Sequence, residues 1–303
     1  MKYRRCVIAL LLVGSFWYVP AQVQAQTLAV EATDRAVLLE IIERLQQEIR
    51  LLQKKLQYQL IWTDSASLVG KPHTAFEDSH NVLAKYSATN RSDVLEITNR
   101  NHRQYFLRVL DVIPVEYEAA IAEFVVFDGD DVMYDAYVET IAPLHETWQY
   151  AIHADMLARP NSAANTELII HELAHIISYE EIIGVPKPAT QNCAEYFSTF
   201  GCPAENSFLN QFVRSFWSTT DLERAQRFAR NESLDKVSRY YELNQTQYVT
   251  DYAASSPEED FAESFVYFIL GIPVRGDGAQ EKVAFFAQYP GLLDSKADIL
   301  QSI

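Results

Sequence analysis

The stretch LIIHELAHII, residues 168–177, constrains this chain more than any other. Leu168, Ile169, Ile170, Leu173, Ala174, Ile176 and Ile177 describe a helix that is apolar nearly all round, and such a helix belongs inside a folded domain. Yet it carries His171, Glu172 and His175. Burying three such groups without a common purpose is costly. Helical positions i and i+4 lie on one face, so both imidazoles can reach a single metal ion. The neighbouring carboxylate of Glu172 can then take a proton from a metal-bound water. The competing reading is a buried helix whose histidines hydrogen-bond by accident. In a chain with seven histidines, pattern and setting together favour a site. The helix should begin after Pro160, with Ser162 or Asn165 as its cap.

Two histidines do not complete a catalytic zinc site, which takes three protein ligands and keeps a position open. His73, His80, His102, His145 and His153 all lie upstream, and HELAHIISYEE lacks the glycine and third histidine of the extended motif. A carboxylate ligand is therefore indicated, giving two histidines and one glutamate. SPEEDFAESF, residues 256–265, offers Glu258, Glu259, Asp260 and Glu263. Ser256 with Glu259 matches a capping box, Pro257 suits the first helical position, and acidic side chains favour a helix N-terminus. Helix-start chemistry thus accounts for Glu258, Glu259 and Asp260 without any metal. It does not account for Glu263, which lies past the first turn among apolar neighbours. Glu259 and Glu263 project from one helical face, so one could bind metal while the other hydrogen-bonds a ligand histidine.

HELAH with the downstream YAASSPEEDFAESF resembles the gluzincin metallopeptidases, in particular the branch of anthrax lethal factor and the bacterial Pro-Pro endopeptidases. The likeness spans roughly residues 120–270 and extends to uncharacterised exported bacterial proteins with this C-terminal pattern. It implies an α+β zincin-like fold, with a small twisted sheet, an active-site helix and a helical C-terminal lobe. It also implies that His171, His175 and Glu259 bind Zn2+, that Glu172 is the general base, and that Tyr252 stabilises the oxyanion. Glu263 would support a histidine. The substrate would be a peptide or protein. The spacer between His175 and Glu259 is longer than the family pattern, so the likeness does not extend to the substrate-binding surface. Two other functions fit the same residues: a catalytically silent zincin-like binding or scaffolding protein, and a zinc hydrolase of a non-peptide cell-wall amide.

The rest of the chain sets the context. Lys2, Arg4 and Arg5 precede an apolar run from Val7 to Val19, and Val23-Gln24-Ala25 offers a cleavage site, as does Val19-Pro20-Ala21. Residues 1–25 therefore read as a signal peptide, too short in its apolar part to span a bilayer comfortably. The expected location is exported: secreted, periplasmic or at the cell surface, with no stable membrane insertion after cleavage. The formal charge of −16 falls to −19 without those residues, which hold three basic side chains and no acidic ones. That argues against nucleic acid as a partner, since its phosphates need a positive surface. Cys193 and Cys202 remain, and in an exported chain they read as a disulfide, the alternative being two buried thiols.

Residues 31–60 read as a coiled-coil-like helix. Leu38, Ile42, Leu45, Ile49, Leu52 and Leu56 form a seam that would pair two copies as a homo-dimer through residues 38–56 or pack on the chain's own domain. Residues 61–90 read as a connector and residues 91–303 as the zincin-like catalytic domain. Within the latter, AEFVVFDGDD (122–131) is a buried strand and a turn, with clustered aspartates that lack the spacing of a calcium loop. TWQYAIHAD (147–155) is a strand at a sheet edge, and SPEEDFAESFVYFIL is a helix stopped by Gly271 and Pro273.

Overall fold

Four strands make a small mixed sheet in the computed structural model, which describes residues 81–88, 90–129, 135–141, 147–179, 203–231 and 234–303. They are β1 (Asn81–Ser87), β2 (Ile121–Asp128), β3 (Ala136–Thr140) and β4 (Trp148–His153), in the spatial order β1-β2-β4-β3. β1 runs antiparallel to β2, β2 parallel to β4, and β3 antiparallel to β4. Side chains alternate across the sheet as the pleat requires. Phe124, Val126, Val138, Tyr150 and Ile152 join the main core, while Val125, Phe127 and Ala151 form a small second cluster with Val82 and Tyr137.

Two sequence expectations need correction here. β1 comes from the stretch expected to be a connector. Its side chains alternate between exposed and half-buried, and Lys85 reaches Glu123 of β2 at 2.9 Å, so its apolar signal is weak. β4, expected at an edge, lies inside the sheet and is buried at all but its last position. The edge belongs instead to β3, whose five residues are too short a run to announce themselves.

Helices α1 (Arg91–Leu95), α2 (Arg100–Val112) and α3 (Val115–Glu118) separate β1 from β2. Asn99 caps α2 by accepting from the amides of Asn101 and His102. α2 lays Phe106 on Phe124 of the sheet, with ring centroids 4.4 Å apart. α4 (Ala163–Ser178) carries the HELAH sequence and buries Ile169, Ile170, Leu173, Ala174, Ile176 and Ile177. Ser162 is its cap, accepting from Asn165 N at 3.2 Å. Asn165 sits inside the first turn and binds the carbonyls of Met156 and Arg159 instead.

The C-terminal part is helical: α5 (Phe208–Phe216), α6 (Thr219–Asn231), α7 (Leu234–Leu243), α8 (Pro257–Leu270), α9 (Asp277–Phe285) and α10 (Pro290–Ser302). Its centre is aromatic. Phe286 meets Phe261 and Phe265 edge-on, at 5.0 and 5.2 Å between centroids, and Phe212 packs on Phe261 at 5.5 Å. α8 packs along α4 and so brings the acidic helix to HELAH. It starts with Ser256 and Pro257 and ends at Gly271, whose φ of 65° is left-handed, a conformation that glycine adopts without strain.

The architecture is α+β, with a small mixed sheet and a helical C-terminal part. Among the described residues no helix is long and apolar enough to cross a membrane. The expected signal segment, the helix at 31–60 with its seam, and Cys193 and Cys202 lie outside the described residues.

Candidate metal centre

Helix α4 presents His171 and His175 on one face, with ring centroids 4.9 Å apart and nearly perpendicular. α8 crosses that face and adds a carboxylate. Glu259 Oε2 lies 3.1 Å from His171 Nε2 and 3.5 Å from His175 Nε2, and the two nitrogens are 3.2 Å apart. These three side chains form a group that could hold a metal ion. A tetrahedral cation with N and O ligands at about 2.0–2.2 Å has ligand–ligand edges of about 3.3–3.6 Å. The three edges here come within a few tenths of an ångström of that.

The donor chemistry also fits. His171 Nδ1 is 2.7 Å from Glu263 Oε1, so this nitrogen carries the hydrogen and donates. In the neutral ring Nε2 is then a bare lone pair. Glu259 Oε2 is buried without a hydrogen-bond donor aimed at it. The His171 lone pair and the Glu259 oxygen therefore face one point beside His175 Nε2, where a cation can sit. Burial pulls the His171 imidazole down, but the bonds to Glu259 and Glu263 outweigh it and hold it well above its ordinary value. Burial pushes the Glu259 carboxyl up, but His175 and His171 overcome this and hold it well below the usual range.

Ser256 Oγ accepts from Glu259 N at 3.2 Å, so the expected cap is present. The Glu259 carboxylate, however, turns to the histidines. One residue thus serves the helix start with its backbone and the metal group with its side chain. Glu263 stands one turn further on, between His171 and Thr250 Oγ1, which donates to Glu263 Oε2 at 2.8 Å.

Glu172 is 4% exposed and opens, with His171, onto a cavity of about 450 Å³ between α4 and α8. Burial raises its carboxyl above the ordinary range; His171 and His175 pull it back, Glu259 pushes it up, and a hydrogen bond from the Val138 amide of β3 lowers it. The net effect is a carboxylate more ready to accept a proton than one in water. Tyr252 lies in a short 3₁₀ turn, Tyr252–Ala254, on the wall of the same cavity. Its ring stacks on His171, with centroids 5.8 Å apart and planes inclined by 28°. The structure thus brings together His171, Glu172, His175, Tyr252, Glu259 and Glu263.

One expectation changes. Asp260 reads as helix-start electrostatics in the sequence but is fully buried. Its Oδ2 accepts from Trp217 Nε1 at 2.9 Å and pairs with Lys282 Nζ at 2.6 Å. Glu258 is buried as well. The first turn of α8 faces the interior of the helical part, where a solvated charge has no place. Sequence reasoning also passed over Thr250, Val138 and Lys282. None belongs to a spaced motif: Thr250 and Val138 reach the centre, and Lys282 reaches Asp260, each from a different element.

Compared with known proteins, the chain matches no family model, no curated protein and no solved structure.

Proposed function

We propose that this chain is an exported zinc-dependent endopeptidase of zincin fold. The observation that carries the reading is the convergence of His171 Nε2, His175 Nε2 and Glu259 Oε2 on one point, with Glu172 lining the same cavity as His171. Two imidazoles and one carboxylate are the donors of catalytic zinc sites, and three protein ligands leave a position for water or substrate. Zinc held there would supply Lewis acidity and bring a bound water's pKa to about 7.

The chain's own residues supply the rest. Glu172, raised by burial, accepts the proton of the attacking water and returns it to the leaving amine. The Tyr252 hydroxyl donates to the oxygen that becomes negative as the scissile carbonyl turns tetrahedral. Glu263 holds the His171 ring in the tautomer that leaves Nε2 free to bind.

The test is hydrolysis of a peptide library with and without chelator, by the wild type and by Glu172→Gln. The library should be weighted toward basic sequences, because Asp135 and Glu167 line the cavity. The variant should retain zinc and lose cleavage. Cleavage at the wild-type rate by Glu172→Gln, or by chelated protein, would overturn the reading.

A further inference from the structure

The hydrogen bonds around Glu263 lead to a residue outside both motifs. Thr250 precedes the turn that bears Tyr252. Its Oγ1 donates to Glu263 Oε2 at 2.8 Å and accepts from Ala253 N at 3.1 Å, so the hydroxyl's one hydrogen is used and a lone pair is engaged. Glu263 gives its other oxygen to His171 Nδ1 at 2.7 Å. Tyr252, next to Ala253, lies against the His171 ring. The contacts close into a loop that runs from His171 to Glu263, to Thr250, to the Tyr252 turn, and back to His171.

We propose that Thr250 is a positioning residue for the metal group, fixing through one hydroxyl both the carboxylate that orients His171 and the turn that presents Tyr252. The inference rests on the metallopeptidase reading above. The terminal torsion of a glutamate is broad and roughly two-fold, so a carboxylate held at one oxygen only can rotate away from its partner. Thr250 removes that freedom from the side opposite His171. The same oxygen anchors Ala253, so a shift of the Tyr252 turn is felt by Glu263 and then by the His171 ring. Outer partners of ligand histidines act on metal affinity in this way.

The experiment compares Thr250→Val, which keeps the shape and loses the hydroxyl, with Thr250→Ser, which keeps the hydroxyl. Zinc dissociation constants come from competition with a chromophoric chelator, ligand-field absorption from cobalt-substituted full-length chain, and melting temperatures from metal-free protein. Thr250→Val should weaken zinc about 10–100-fold and alter the cobalt spectrum, while Thr250→Ser should bring both back close to wild type. The metal-free melting temperatures should stay together. Thr250→Val binding zinc as tightly as wild type, Thr250→Ser failing to restore it, or a metal-free melting loss large enough to explain the weakening would each overturn the proposal. A wild-type chain that binds no zinc would sink the metallopeptidase reading along with it. Unchanged zinc affinity in Thr250→Val beside an inactive, zinc-loaded Glu172→Gln would sink this inference alone.

Discussion

Glu259 and Asp260 are neighbours in the first turn of α8, and their carboxylates lie in opposite surroundings. Asp260 is met by donors, the Lys282 ammonium and the Trp217 indole, on a side chain with no exposed surface. Burial pushes its carboxyl up to about 6, although Lys282 and Trp217 pull it back. Glu259 is met by two imidazole nitrogens, and no donor is aimed at its buried oxygen. At Asp260 the protein itself supplies the counter-charge, through Oδ2, while Oδ1 is buried without a hydrogen-bond partner. The group at Glu259 draws three possible ligand atoms together and could hold a metal ion. Adjacent residues of the same charge thus separate an ion pair inside the helical part from a group that could hold a metal ion.

Substitution at the two positions should split those roles. Glu259→Ala should lose nearly all zinc on metal analysis while the metal-free chain melts much as before. Asp260→Asn leaves Lys282 buried without its counter-charge and should cost about 3–5 kcal/mol on denaturation, with or without zinc. The comparison breaks if Asp260→Asn strips the metal and spares stability, or if Glu259→Ala unfolds the chain. A smaller effect is expected from Glu263→Ala, which removes the partner of His171 and not a ligand. Zinc should weaken about 10–100-fold. If Glu263→Ala loses more metal than Glu259→Ala, the two glutamates exchange roles.

The smallest effect is one of pH. In metal-free protein the His171 value is raised, so its contribution to stability is complete below the ordinary 6.5 and fades as pH rises through the raised value. Glu259 is depressed, so its contribution is complete above the ordinary 4.5 and is lost as pH falls through its lowered value. The metal-free chain should therefore gain most from this group between about pH 4.5 and 6.5. Protons and metal compete for the same lone pairs, so the zinc-induced rise in melting temperature should grow as pH rises past that window. A rise that is independent of pH would mean that His171 is not part of the metal group.

Local patterns carried much of what the sequence revealed. The apolar run of α4, its Ser162 cap, the Ser256-Pro257 start of α8 and its Gly271 stop are all short-range chemistry, and they fall where expected. The one-face spacing of Glu259 and Glu263 is also local, and it brings both carboxylates to His171. What escaped depends on residues far apart in sequence. Lys282 pairs with Asp260 from another helix, and Thr250 reaches Glu263 from a turn. The place of β4 inside the sheet depends on β3, whose short run gives no periodicity of its own.

The bond from the Val138 amide to Glu172 has a second consequence, for behaviour in solution. Val138 belongs to β3, which among the described residues has a strand on one side only. An unoccupied amide on such a rim is a docking point for a strand from another molecule. The glutamate that would accept a proton in turnover therefore also keeps one rung of the sheet from being offered to a neighbour. Glutamine at 172 preserves an acceptor for that amide and alanine does not, which makes glutamine the replacement that removes the chemistry while leaving the rim closed.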